Sequence, residues 1–217
     1  MKLSQRLQTL ADLVPRGVYA HIWDCCCDHG FLASVLIATK RAPNVHFIDI
    51  VPELIEKITL RQSMTNSAVN WTAQACDITR LRLSDSNASQ LIIIAGVGGE
   101  LTAQFIDAIV VNNPSKDIDF LLCPVRDVYR TRQALINYEF GLLDEQLVTE
   151  NKRTYEIIYA SRQHAIQALS LIGEQLWQPQ NSIQLNYLAR LIKHLQNAAQ
   201  TSEEAKKQLA LYQQLIK

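Results

Sequence analysis

Apolar residues recur along this chain with two periods, and the way those periods alternate predicts an α/β protein. Over residues 3–14, Leu3, Leu7, Leu10 and Leu13/Val14 share one stripe, which predicts an amphipathic helix ended by Pro15-Arg16-Gly17. Residues 18–23 read as a buried strand and 31–39 as a helix. A second strand is expected over 45–50. Pro52 suits a helix start, and 54–64 carries Leu54, Ile58 and Arg61 at helical spacing. Further strands are expected at 71–76, 91–95 and 118–123, and helices at 100–111 and 128–137. Asn112-Asn113-Pro114 closes the first of those helices. Two β-rich stretches, 141–149 and 155–160, flank Glu150-Asn151-Lys152-Arg153, a hairpin signature.

Beyond Ser161 the pattern reads as helical to the end, broken at 178–182. Ser182 is the expected N-cap of a helix whose seam is Leu185, Leu188, Leu191/Ile192 and Leu195. Leu209, Tyr212 and Leu215/Ile216 continue the seam after Thr201-Ser202, the expected start of a second helix. Such helices can pair as an antiparallel hairpin.

Strands alternating with helices imply a parallel sheet covered on both faces, here followed by an antiparallel pair. Ligand sites in such sheets lie beyond the strand C-termini, where the strand order switches. That singles out Asp24 to Gly30, Asp49, Asp77, Ala95 to Gly99 and Cys123 to Val125, each just past an expected strand.

The 217 residues suffice for one sizeable core with an appendage, divided here as 1–161 and 162–217. Net charge is zero, but the first part carries 15 Lys/Arg against 18 Asp/Glu and the second 6 against 3, or −3 and +3. A mildly basic tail permits a nucleic-acid partner without requiring one. The N-terminus lacks the apolar stretch of a signal peptide, and the longest apolar runs are strand-sized, so no membrane partner and a cytoplasmic location are expected. Of five cysteines three are adjacent, Cys25, Cys26 and Cys27, which is no disulfide framework. No C-x-x-C pair suggests a metal, so none is expected.

The turn from Asp24 to Gly30 would expose backbone N–H groups at a helix start. It lacks the G-x-G-x-x-G of a dinucleotide site and keeps only Gly30. Asp49 could accept hydrogen bonds from ribose hydroxyls and Asp77 from an adenine amino group, outlining with Asp24 an adenosine-shaped pocket. Taken singly, each is equally a loop or cap aspartate. Ala95-Gly96-Val97-Gly98-Gly99 concentrates three of seven glycines, as a tight turn or a close approach to a ligand requires. His29 could be a base, a ligand contact or a helix cap.

In this order the residues resemble the TrmK family, bacterial tRNA methyltransferases acting on N1 of the adenine at about position 22. The resemblance runs over about residues 3–160. It rests on the amphipathic helix before Pro15-Arg16-Gly17, on Asp24 to His29 for the family's Asp-Ile-Gly-Ser-Asp-His, and on Asp49 and Asp77. Ile94-Ala95-Gly96-Val97-Gly98-Gly99 and Tyr155-Glu156 complete it. It implies a Rossmann-like class I methyltransferase with a mostly parallel seven-stranded sheet, an antiparallel last strand and a coiled-coil-like helical extension.

It also implies S-adenosyl-L-methionine as cofactor, held by Asp24, Cys26, Asp28, Gly30, Asp49, Ile50, Asp77, Ile78, Ala95 and Gly96, with Asp28 and His29 as catalytic candidates. The tRNA side would comprise Val97, Gly98, Gly99, Pro124, Arg126, Arg130, Arg190 and Lys193, with Arg132, Lys206 and Lys207 as further phosphate contacts. Adenine N1 already has a lone pair, so positioning and electrostatics would dominate over base catalysis. The chain departs from the family at Cys26, where the family has glycine, at Val97 for methionine, and at Cys123-Pro124-Val125 for Gln-Pro-Asn. Two other readings fit the same residues: a methyltransferase for a small molecule or protein, and a non-catalytic binding protein on a methyltransferase fold. The expected assembly is a monomer or weak homodimer.

Overall fold

The computed structural model describes residues 3–84, 88–178 and 180–215. Ile216 of the expected seam and Pro179 of the expected break lie outside them. A seven-stranded sheet has the order β3-β2-β1-β4-β5-β7-β6. Its strands are β1 (His21–Cys25), β2 (Asn44–Asp49), β3 (Asn70–Ala75), β4 (Gln90–Ala95), β5 (Ile118–Cys123), β6 (Gly141–Glu150) and β7 (Arg153–Ser161). The first five are parallel, and β7 enters between β5 and β6, antiparallel to both.

The apolar runs of β4 and β5 are buried almost throughout, as central strands covered on both faces must be. Alternate side chains serve opposite faces. Ile22, Val45, Phe47, Leu91, Ile93 and Leu121 join one core with α1 (Gln5–Leu13), α2 (Phe31–Ala38) and α3 (Pro52–Ser63). Trp23, Ile48, Ile92, Ile94, Phe120 and Leu122 join the other with α4 (Gly99–Asn112) and α5 (Val128–Asn137). Each fully buried isoleucine contributes roughly 1.5–3 kcal/mol.

The first strand begins at His21 rather than at the expected Val18, because Val18 is exposed and Tyr19 sends its hydroxyl to Asp119. The β6–β7 hairpin turns on Asn151 and Lys152, both at positive φ, the left-handed pair that a two-residue hairpin turn needs.

The expectation of helix directly after Ser161 is not met. Among the described residues, 162–178, 180 and 181 form no helix beyond a 3₁₀ turn at Glu174–Leu176. Gln167 instead bridges to Leu142 beside β6. Helix α6 (Ser182–Ala198) is capped by Asn181, whose side chain accepts from Ile183 and Gln184 N–H, so Ser182 is its first residue and not its cap. Helix α7 (Glu203–Gln214) is capped by Ser202, as expected. The two pack on each other around Leu188, Ile192, Leu195, Ala205 and Tyr212. No helix among the described residues is long and apolar enough to cross a membrane.

Candidate functional site

The strand order reverses at β1, which lies between β2 and β4, and the loops leaving these strands meet there. The loop after β1 is sharply wound: Cys26, Asp28 and Gly30 all have positive φ, at 56°, 49° and 66°. Backbone bonds hold it, from Cys27 N–H to Ile48 O and from Gly30 N–H to Cys27 O. Only Gly30 adopts this region freely. A Cβ on Gly30 would also stand 2.8 Å from the Phe47 ring.

A cavity of about 460 Å³ opens above this loop. Asp24, Cys26, Asp28, His29, Asp49, Ala95 and Gly96, expected there from the sequence, line it together, and so does Val97, which was expected on the tRNA side. Gly30, Ile50, Asp77 and Ile78 do not. Gly30 caps α2, Ile50 is exposed, Asp77 caps the 3₁₀ turn Ile78–Arg80 by accepting from Thr79 N–H, and Ile78 is core.

Asp24 is buried and accepts from Ala33 N–H at 3.1 Å. Burial pushes its pKa up to about 7, the Ala33 N–H opposes this, and Asp49 adds to it. Asp49 accepts Asp28 N–H on Oδ2 and Val51 N–H on Oδ1, which fixes both oxygens while each retains a lone pair. Asp28 and His29 are exposed at the mouth, with Oδ1 and Nε2 3.8 Å apart, and His29 stacks on Phe31.

The cysteines are free. Burial, then Asp49 and Asp24, push the Cys26 thiol up to about 12, so at neutral pH it is a protonated, weakly nucleophilic filler. Among the described residues no group of three or more His, Cys, Asp or Glu could hold a metal ion.

Next to this cavity, with the boundary between Val97 and Gly98, lies a cleft of about 880 Å³ between the sheet and the tail helices. Of the residues expected on the tRNA side it gathers Gly98, Gly99, Pro124, Arg126 and Arg190, but not Arg130 or Lys193. Gly99 is fixed by packing: a Cβ there would fall 1.8 Å from the Asp127 carbonyl oxygen.

Two arginines read differently in the structure. Arg132, expected to reach phosphate, has no exposed side-chain surface; it binds Glu145 at 2.6 Å, Glu156 at 2.9 Å and the Ser170 carbonyl. Arg130 pairs with Asp127 at 3.1 Å and Glu204 at 2.9 Å, tying α5 to α7. Glu156 of the Tyr155-Glu156 pair is thereby internal, accepting also from Tyr187.

The sequence reading missed Arg6, Leu7 and Leu54 in the small cavity and four tyrosines, Tyr129, Tyr155, Tyr187 and Tyr212, in the cleft. Apart from Tyr155 and Tyr212, they looked like ordinary helix positions. Arg6 gave one faint signal, a charge next to the apolar stripe of α1.

An acid-lined cavity at the switch of a 3-2-1-4-5-7-6 sheet, with a second cleft lined from the next residue of the same loop, fits a class of group-transfer proteins with neighbouring donor and acceptor sites. Residues 3–158 match a family model described as a methyltransferase domain, and the chain belongs to that family. Bacillus subtilis (strain 168) tRNA (adenine(22)-N(1))-methyltransferase is 27% identical over 215 residues, covering 94% of this chain and 87% of the relative. The crystal structure of the B. subtilis M1A22 tRNA methyltransferase TrmK superposes with a TM-score of 0.74 at 22% identity, over 100% of this chain and 99% of that one. M. capricolum TrmK in complex with S-adenosyl-homocysteine superposes with a TM-score of 0.76 at 15% identity, over 99% and 94%.

Proposed function

We propose that this chain is a cytoplasmic, S-adenosylmethionine-dependent tRNA methyltransferase acting on N1 of adenine, at position 22 as the B. subtilis relative's name states. The observation that carries this reading is that two cavities are lined by consecutive residues of one loop, Val97 in the smaller and Gly98 in the larger.

The donor side fits the cofactor chemically. S-adenosylmethionine carries a sulfonium, an ammonium and two ribose hydroxyls, and Asp24, Asp28 and Asp49 line the cavity. Gly96, at φ 94°, leaves the space above it open, since a Cβ there would meet nothing nearer than Arg6 Nη1 at 3.8 Å. When bound, the cofactor supplies an electrophilic methyl group. In this reading Asp49 binds the ribose, and Asp24 and Asp28 face the cationic end. His29 shields the mouth, and Asp77 and Ile78, which lie outside the lining, take no part in this reading.

The acceptor side combines Tyr129 and Tyr155, faces on which an extruded base can stack, with Arg126, Lys152, Arg153 and Arg190 for the backbone. Adenine N1 attacks with its own lone pair, so these residues position rather than deprotonate it. Residues 1–161 form the cofactor half, and 162–217 supply the other wall of the cleft.

The test is to incubate the protein with unmodified tRNA and labelled S-adenosylmethionine and identify the labelled nucleoside. 1-Methyladenosine is expected. Absence of label in RNA sinks this function, and label in a small molecule or protein supports the alternative acceptor.

A further inference from the structure

Among the described residues Arg6 is the one Lys or Arg lining the small cavity. It stands in the first turn of α1, which contains no acidic residue. Its Nε and Nη1 are shielded from solvent and have no hydrogen-bond partner. Glu150 accepts from the Arg6 backbone N–H and forms a long ion pair with the guanidinium, but with Oε2 3.9 Å from Nε it makes no side-chain hydrogen bond. The Tyr155 ring supports the guanidinium, with Cζ 5.1 Å from the ring centroid. The Cys123 thiol lies within reach of the guanidinium, whose charge and hydrogen bonding pull its pKa down against burial, but a thiol is a weak acceptor that leaves these donors largely unsatisfied. Nη1 faces Gly96, where no side chain intervenes.

Unpaired buried donors are costly, and a cation at a helix N-terminus opposes the helix dipole. An anion entering the cavity relieves both. The cavity's other charged groups, Asp24, Asp28 and Asp49, repel anions, so the anion must belong to a ligand with cationic and anionic ends held apart. S-adenosylmethionine has one anionic group, the carboxylate of its amino-acid end. We propose that Arg6 binds that carboxylate across Gly96 and so fixes the amino-acid end of the cofactor; this rests on the reading of the cavity as the cofactor site.

Calorimetry on the full chain tests it with four ligands: S-adenosylmethionine, S-adenosylhomocysteine, the decarboxylated cofactor and 5′-methylthioadenosine, which lacks the amino-acid end. The unaltered protein is expected to bind S-adenosylmethionine about tenfold or more tighter than the decarboxylated form, as loss of a charge-assisted hydrogen bond implies. Arg6→Ala is expected to lose a similar factor for both carboxylate ligands, while methylthioadenosine changes less than about twofold. Arg6→Lys, a point charge without the planar fork, falls between. Equal binding of the carboxylated and decarboxylated forms by the unaltered protein overturns the proposal, even if Arg6→Ala fails to fold. So does an equal loss of methylthioadenosine binding in a folded Arg6→Ala. If the unaltered protein binds none of the four, the cofactor reading falls and this proposal with it.

Discussion

At the scale of the residue, Asp24 shows how a binding site draws on stability. Its pKa is about 7 when folded, against 3.8 ordinarily, chiefly because it is buried. Between these values the folded form holds a proton that the unfolded form has lost. The stability so gained is complete below about pH 4 and disappears as pH rises through 7. Asp24→Asn keeps an acceptor for Ala33 N–H and removes the buried charge. It is expected to melt higher than the unaltered protein at pH 8, by about 1 kcal/mol or more, since one pKa unit corresponds to about 1.4 kcal/mol. The gap should close as the melts are repeated towards pH 4. The same variant is expected to weaken cofactor binding, which in the unaltered protein should strengthen from pH 6 to 8 as the carboxylate ionises. Asp24, Asp49 and Gly96 were legible because a strand end fixes where a residue points. Arg6 was not, because its role depends on α1 lying against β6 and α2, a packing that periodicity does not encode. Arg132 misled because its acids, Glu145 and Glu156, stand on two later strands.

At the scale of the element, strands and helices were legible where one period ran uninterrupted. Strand β5 and helix α5 have the expected bounds, Ile118–Cys123 and Val128–Asn137. Residues 162–181 were misread because Leu169, Ile172 and Leu176 mimic helical spacing while serving different cores: Leu169 joins the sheet and Ile172 the tail helices. Gly173, at φ 63°, marks the bend, and a Cβ there would come within 2.7 Å of Arg132 Nη2. Glycine has a comparable part at the start of α2. Gly30→Ala places a Cβ in the left-handed region and against Phe47 and Ile58. A loss of about 1–3 kcal/mol is expected in denaturant unfolding. A Gly30→Ala protein as stable as the original would mean that the Asp24–Gly30 loop is not held in this conformation.

At the scale of the whole molecule, the tail is joined to the sheet by charge as well as by apolar packing, and four arginines divide the work. Arg132 is buried with Glu145 and Glu156, and Tyr187 of α6 completes the network through Glu156. Arg130 links α5 to α7 through Glu204. Arg126 and Arg190 are exposed and face the cleft, beside Lys152 and Arg153 of the β6–β7 hairpin. Sequence composition could report a tail of net +3 but not which cations were already committed to acids. Phosphate binding releases condensed counterions, so each free cation that reaches RNA adds to the salt dependence. Arg126→Ala and Arg190→Ala are each expected to weaken tRNA binding and to lower the slope of log affinity against log salt by about one, without changing the melt. Arg132→Ala leaves two carboxylates buried without their cation, and is expected to cost about 3–5 kcal/mol of stability. Salt titrations of tRNA binding beside thermal melts separate these roles, and an unchanged slope in both cleft variants would remove Arg126 and Arg190 from the RNA surface.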